Sequence, residues 1–311
     1  MNAQAVILHH PERISVESVT LDAPGAADAR VAIRWSGIST GTERLLWSGR
    51  MPDFPGMGYP LVPGYESVGV VVEAGAESGV RPGQTVFVPG ARCFGAVRGL
   101  FGGAASHLVS AGARLVPIDP ALAERGTLIA LAATAHHALA GLDLRRPLLV
   151  VGHGVLGRLV ARIAGALGAD PQVWEIDPAR RDGATDYAVA APDDDTRRDY
   201  ATILDVSGDA GILDAAIARL APGGEIVLAG FYEARLGFDF APAFLREARI
   251  RVAAQWRPED LTATLALIGA GRLSLDGLVT HRRPAPDAPD AYRTAFGDPG
   301  CLKMILDWSA A

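Results

Sequence analysis

Gly152, Gly154 and Gly157 fall in the pattern G-x-G-x-x-G, between the apolar run Leu148–Val151 and an amphipathic run carrying Leu156, Leu159, Val160, Ile163 and Leu167. That order reads as strand, tight turn and helix. Gly152 permits the turn, Gly154 lets a pyrophosphate approach the backbone, and Gly157 lets helix and strand pack closely. The loop residues His153, Val155 and Leu156 and the helix N-terminus then face the phosphate charge. Only the backbone of His153 is needed for this. A second apolar strand, Gln172–Trp174, ends in Glu175, 23 residues after Gly152. The acid that holds an adenosine ribose is expected about 20 residues on. A carboxylate there repels a 2′-phosphate and favours NAD, whereas Arg180 and Arg181 are the opposing signal. Ser207 and Gly208, and then Gly230, Phe231 and Tyr232, follow two further strands, where ligands of parallel sheets bind; they are expected to touch the two halves of the cofactor. A glycine turn that binds no dinucleotide is the alternative.

The elements that position these residues change grammar along the chain. Up to about residue 118, short alternating runs are punctuated by Gly and Pro, which is the pattern of strands and turns. Ala5–Leu8, Val31–Trp35, Ser67–Val72, Thr85–Val88 and Arg114–Val116 read as strands, and Leu45–Pro63 as a long loop. From Pro120 onward helices alternate with strands. Leu122–Leu142 reads as one helix carrying His136 and His137, one packed and one exposed. Val173–Glu175, Thr202–Val206 and Glu225–Ala229 are strands, with helices such as Ile212–Leu220 between them. Arg249–Ala254 reads as a further strand and Glu259–Ala270 as a helix. The tail reads as a strand, a helix over Ala288–Phe296 and an apolar strand, Leu302–Leu306. Alternation of this kind implies a doubly wound parallel sheet, the Rossmann arrangement, so the fold class is α/β. The expected boundaries are 1–118 for a β-rich domain, 119–275 for the dinucleotide domain, and 276–311 for a short return segment.

Composition narrows the class. The 311 residues suit two domains at about 150 each. Hydrophobic residues at 49% and charged ones at 21% are globular values. The net charge of −6, without any long block of one sign, gives no nucleic-acid surface. Met1–His10 lacks the basic and apolar regions of a signal peptide, and charged or histidine side chains interrupt the longest apolar segments. A cytoplasmic protein with no membrane span is expected. Cys93 and Cys301 are too few for a disulfide framework or a structural zinc lobe.

The motifs converge on a resemblance that covers nearly the whole chain. Gly37-Ile38-Ser39-Thr40-Gly41-Thr42-Glu43 resembles the G-I-C-G-T-D stretch of zinc alcohol dehydrogenases in the medium-chain dehydrogenase/reductase superfamily. Pro63-Gly64-Tyr65-Glu66 resembles P-G-H-E, and Arg81–Val86 resembles the turn that follows it. Thr134-Ala135-His136-His137-Ala138-Leu139 resembles the T-A-Y-H-A-L helix before the cofactor strand. The resemblance implies that 1–118 is a GroES-like catalytic domain, completed by the return segment 276–311 and accompanied by the Rossmann domain. It also implies a homodimer paired through the strand at Arg249–Ala254. Met51–Glu66, Arg98–Gly103 and Cys301–Trp308 resemble, more narrowly, a branch that works in bacteriochlorophyll biosynthesis. That implies NAD-dependent oxidation of the 1-hydroxyethyl group of a bacteriochlorophyllide, a tetrapyrrole, to acetyl.

The departures from the zinc pattern matter equally. The positions matching the catalytic metal ligands are Ser39, Tyr65 and Ala130, and a hydroxyl, a phenol and a methyl do not replace thiolate and imidazole around zinc. No metal is expected. A secondary alcohol must still lose its hydroxyl proton, and Tyr65 is the first choice as acid/base, with Ser39 or Thr42 as relay. A free tyrosine titrates near about 10, so the role needs a nearby positive charge or a hydrogen bond to the anion. A Tyr65 that only fills the vacated cavity, with solvent taking the proton, is the other reading. Glu66 is expected near the site, bonded to Arg44 or to backbone. Trp47, Met51, Phe54, Met57, Tyr59 and Phe101 offer apolar and thioether contact area to a flat macrocycle, and Arg98 a partner for its propionate. The bland alternative is that they pack an interdomain seam or an interface. Two other functions fit the same residues: a zinc-free NADPH-dependent quinone or enoyl reductase, and a non-catalytic dinucleotide-binding protein.

Overall fold

The computed structural model describes residues 1–52 and 56–309. The chain begins with β1 (Asn2–His10), β2 (Arg13–Thr20), β3 (Asp28–Ile38) and the short helix α1 (Thr42–Ser48). β4 (Leu61–Val62), β5 (Ser67–Ala74), β6 (Thr85–Val88), β7 (Arg98–Gly99), β8 (His107–Ala111) and β9 (Val116–Pro117) lead to α2 (Ile129–Leu139). The middle of the chain runs β10 (Leu148–Val151), α3 (Val155–Ala166), β11 (Pro171–Trp174), β12 (Ala188–Ala190) and β13 (Tyr200–Asp205). It continues with α4 (Ile212–Arg219), β14 (Leu220–Leu228), α5 (Phe240–Leu245), β15 (Arg249–Val252) and α6 (Pro258–Gly269). β16 (His281–Pro284), α7 (Ala288–Gly297) and β17 (Met304–Asp307) close it.

Contacts divide the chain into two units, Met1–Ala130 with Leu278–Ala311, and Leu131–Gly277. The first is built on two sheets, in the orders β2-β1-β4-β7 and β16-β17-β3-β5-β6-β9, with β8 also on β3. The return segment enters the larger sheet as β17, antiparallel to β3, with Met304 opposite Ile38. That pairing carries the last strand to the end of β3, beside Ser39. The core of this unit gathers alternate residues of β1 and β3 with Tyr292, Met304, Leu306 and Trp308.

In the second unit six parallel strands take the order β12-β11-β10-β13-β14-β15. Numbered within the unit this is 3-2-1-4-5-6, the doubly wound arrangement, and its strand order reverses between β10 and β13. Both strands are wholly buried, as strands covered on two faces must be.

Several elements differ from the sequence reading. Leu122–Leu142 is not one helix. Pro120–Leu128 is a 3₁₀ segment broken at Ala123, where φ is 48°, and the α-helix starts only at Ile129. Gly126 disfavours a continuous helix there, and the segment lies against β3, β5 and β6. The loop beginning at Leu45 opens inside α1, which ends at Gly49 in the left-handed region, a standard C-terminal stop. Arg114 is in a 3₁₀ turn rather than a strand. The connections from β11 to β12 and from β12 to β13 contain no α-helix. Side chains cover that face instead. Asp195 accepts from Trp174 Nε1 at 2.8 Å and Tyr200 Oη at 2.7 Å, and the Arg219 guanidinium stacks on Trp174 at 5.0 Å.

Candidate active site

At the C-terminal end of β3 the chain turns into α1 and places Ser39 and Thr42 one helical turn apart. Across from them, the chain entering β5 brings Tyr65 and Glu66. Ser39 Oγ and Tyr65 Oη are hydrogen-bonded at 2.7 Å, and the Thr42 hydroxyl also bonds the phenol. The three hydroxyls named from sequence therefore meet. Burial, and then the charge of Glu66, raise the Tyr65 phenol above its ordinary value, while Ser39 and Thr42 pull the other way.

Glu66 lies next to this pair but is bonded to neither Arg44 nor backbone through its carboxylate. Its Oε2 is 2.6 Å from Lys303 Nζ, and both side chains are wholly buried. Arg44 is on the exposed face of α1 and cannot reach it. Lys303 was not among the site residues read from sequence, although one lysine inside the apolar run Leu302–Leu306 is a signal of a buried partner. Gly37 makes the room: a Cβ there would stand 2.3 Å from Glu66 Oε2. A second buried carboxylate, Glu43, accepts from Ser39 N at 3.0 Å and from Tyr292 Oη at 2.6 Å. Burial pushes it up to about 7.

No group of three His, Cys, Asp or Glu suited to a metal ion occurs among the described residues. The donor set does not fit zinc. Ser39 and Tyr65 bond each other, Ala130 offers a methyl, and the carboxylate of Glu66 is held by an ammonium.

The apolar candidates gather beside this site in the same unit. Met51 is buried in a small core with Leu8, Leu45, Leu46, Leu61 and Leu100, and Trp47, Met57, Tyr59 and Phe101 pack around it. Phe101 stands edge-on to Tyr65 with ring centroids 5.1 Å apart. Tyr59 donates to Leu46 O at 2.5 Å, and Arg98 donates to Tyr59 O at 3.2 Å. Trp47 turns toward α7 and packs on Phe296 at 5.5 Å. Phe54 lies outside the described residues.

In the second unit the glycine loop has the form a dinucleotide requires. Gly152 has φ of 103°, and a Cβ on Gly157 would stand 1.9 Å from Gly152 O. Gly154 faces open space and precedes α3 without any side-chain cap, leaving the first amides of that helix for a ligand. Val155 and Leu156 begin the helix. Ser207 stands against Gly152 where the strand order reverses. Asp205 organises that edge: it accepts from Ser207 N, Ser207 Oγ and Tyr232 Oη, and its carbonyl accepts from Gly230 N. Gly208 has φ of 75°, and Phe231 is half exposed.

His153 corrects the expectation that only its backbone matters. Its side chain is fully buried, with Nδ1 bonded to Arg180 O at 2.6 Å and Nε2 to Tyr187 Oη at 2.8 Å. Arg158 reinforces the tie through His153 O, Arg180 O and Asp182 O. With no α-helix after β11, these side chains hold the connecting loop. Burial pushes the imidazole down to about 4, so it works as a neutral strut. Glu175 accepts from His153 N at 3.0 Å and Asp177 N at 2.9 Å. His136 and His137 are both half-buried and both bond Asp260, at 3.1 and 2.8 Å, instead of dividing into one packed and one exposed. A single carboxylate bridges two ring nitrogens that start only one residue apart.

A doubly wound dinucleotide unit and a β-rich unit completed by the chain's end, in one chain, define a medium-chain dehydrogenase/reductase, and the chain is an alcohol oxidoreductase of that superfamily. The family model for the alcohol dehydrogenase GroES-like domain matches residues 25–120. A structure described as a short chain alcohol dehydrogenase from Escherichia coli CFT073, complexed with NADH, superposes with a TM-score of 0.83 at 20% identity. It covers 98% of this chain and 99% of its own. The 2-desacetyl-2-hydroxyethyl bacteriochlorophyllide A dehydrogenase of Rhodobacter capsulatus is 58% identical over 100% of both chains. Its counterpart in Cereibacter sphaeroides is 56% identical over 100% of this chain and 99% of that one. This chain belongs to the 2-desacetyl-2-hydroxyethyl bacteriochlorophyllide A dehydrogenase family.

Proposed function

We propose that the protein oxidises the 1-hydroxyethyl group of a bacteriochlorophyllide to acetyl with NAD and without zinc. The observation that carries the substrate is the end-to-end identity of 58% to a dehydrogenase named for it. The chemistry follows from the residues. The alcohol R–CHOH–CH₃ gives R–CO–CH₃, one hydride and one proton. When bound, the oxidised nicotinamide would supply the acceptor for that hydride. The carbinol carbon is joined to a conjugated macrocycle, which spreads the positive charge that develops and conjugates with the ketone, so a Lewis acid is less needed. Tyr65 takes the hydroxyl proton, with Ser39 and Thr42 donating to the phenolate. Phe101, edge-on to Tyr65, offers its ring to the macrocycle.

NAD rather than NADP is favoured by Glu175, whose carboxylate stands at the end of β11 against the glycine loop. The two arginines that follow, the opposing signal for a 2′-phosphate, are turned to other partners. Arg181 bonds the carbonyls of Glu175 and Ile176, and Arg180 faces Asp177 at 3.9 Å.

Incubated with hydroxyethyl bacteriochlorophyllide after chelator treatment, the protein should shift the red-most absorption band and form stoichiometric NADH from NAD, with far slower turnover on NADP. Activity confined to quinones or enones with NADPH would overturn the assignment.

The homodimer rests on β15. It is the edge of its sheet, with Val252 74% exposed, and Phe240, Phe244 and Leu245 of the neighbouring α5 also stand exposed. An open apolar edge of this kind invites a second copy around a two-fold axis. Sedimentation should give twice the chain mass, and Val252→Lys should give the single mass with the parallel sheet intact. A wild-type monomer would dispose of the idea.

A further inference from the structure

Lys303 and Glu43 grip one peptide group from opposite ends. Lys303 Nζ donates to Ile38 O at 3.2 Å, and Ser39 N, the other side of that same peptide, donates to Glu43 Oε1 at 3.0 Å. Each jaw is itself backed. Glu66 Oε2 holds the ammonium at 2.6 Å, and Tyr292 Oη holds the second oxygen of Glu43 at 2.6 Å. Glu43 N also returns a bond to Ser39 O at 3.1 Å, and Gly37 N donates to Glu66 O at 2.8 Å. A buried ammonium and a buried carboxyl group thus fix the plane from which the Ser39 side chain projects toward Tyr65.

We propose that Lys303 and Glu43 are positioning residues: the clamp they form on the Ile38–Ser39 peptide sets the Ser39–Tyr65 hydroxyl pair for proton transfer. The inference rests on the reading of Ser39 and Tyr65 given above. The cost of the arrangement argues for it. A buried ion pair is often no more stable than apolar residues of the same volume. Here Glu66 Oε1 is left buried with no partner at all. Stability alone does not account for the cluster, whereas geometry at the reacting hydroxyls does. Lys303 also sets its charge against that of Glu66, which otherwise raises the Tyr65 phenol. The return segment is therefore a working part of the site, since β17 is what delivers the lysine.

The test is the double variant Lys303→Met/Glu66→Gln, which removes the buried ion pair as a unit, so neither of its members is left without the other. The melting temperature should change little, because a buried pair replaced as a unit by groups of similar volume is often neutral. The Kd for NAD should stay within about twofold, because the dinucleotide residues lie in the other unit. Turnover should fall at least about tenfold with KM for the alcohol little changed, as expected when reacting groups are misplaced by a fraction of an ångström. Wild-type kcat in that variant overturns the proposal. Should it not accumulate as folded protein, Glu43→Leu/Tyr292→Phe opens the opposite jaw and is read the same way, with wild-type kcat again the refuting result. Tyr65→Phe and Ser39→Ala, measured alongside, separate the two ideas. If they are silent, the reading of the hydroxyl pair fails and the clamp with it. If they are slow while both double variants turn over normally, the pair stands and only the clamp is wrong.

Discussion

Tyr65→Phe should lower kcat for alcohol oxidation by about 10²- to 10⁴-fold, the span that a positioned acid or base contributes. The Kd for NAD should hold, since the substitution lies outside the dinucleotide unit, and folding should hold because the ring and its edge contact with Phe101 are kept. The pH dependence has a definite sign. Burial and the charge of Glu66 raise the phenol above its ordinary value, so at neutral pH it is protonated and its base form grows with pH. Wild-type kcat should therefore climb from neutral into alkaline solution, and the Phe variant should lose most of that slope along with the rate. Unchanged turnover across the range would assign proton removal to solvent and leave Tyr65 as packing.

Much of this was legible in the residues, for identifiable reasons. The glycine loop, its flanking strand and the helix after it are local features, set by spacing within one short stretch. The strand order 3-2-1-4-5-6 follows from alternation, because parallel strands need crossovers. Ser39, Thr42 and Tyr65 were found as a group only because the zinc pattern names the positions whose side chains must converge. Without it, nothing in local spacing brings residue 39 to residue 65.

What escaped was non-local or depended on what the chain lacks. Lys303 reaches Glu66 across 237 positions of sequence, and only the antiparallel register of β17 on β3 puts it there. Glu43 sits in α1 next to the exposed Arg44, and the partner that receives it in the core, Tyr292 on α7, is far along the chain. His153 gained its role through an absence, since without an α-helix after β11 something must anchor Arg180 and Tyr187. The pattern G-x-G-x-x-G is indifferent to its x positions and carries no trace of that need. The break at Ala123 was misread for a related reason: the apolar content of Leu122–Leu142 suited a helix, and the packing of Pro120–Leu128 on the sheet overrode it.

Two neighbouring glycines should behave oppositely, and the contrast separates fold from ligand. A Cβ on Gly157 would stand 1.9 Å from Gly152 O and 2.9 Å from Gly152 C, both main-chain atoms that cannot turn aside. Gly157→Ala therefore forces α3 off the end of β10 and opens the loop that must hold the pyrophosphate. Strain of this kind costs up to about 3 kcal/mol, so the Kd for NAD should rise roughly 100-fold and the melting temperature fall with it. A Cβ on Gly154 meets nothing within 4 Å, and the residue has φ of −70°, which any amino acid adopts. Gly154→Ala should leave the melting temperature of the free protein unchanged. Yet if the open space above Gly154 is where the pyrophosphate approaches the backbone, the added methyl intrudes on the ligand and binding weakens. Calorimetric NAD titration and thermal unfolding on the two variants give four numbers. A Gly154→Ala protein that binds NAD as tightly as wild type would place the pyrophosphate elsewhere on the loop. A Gly157→Ala protein of normal stability would mean that the helix can retreat from the strand without loss, against the close contact seen here.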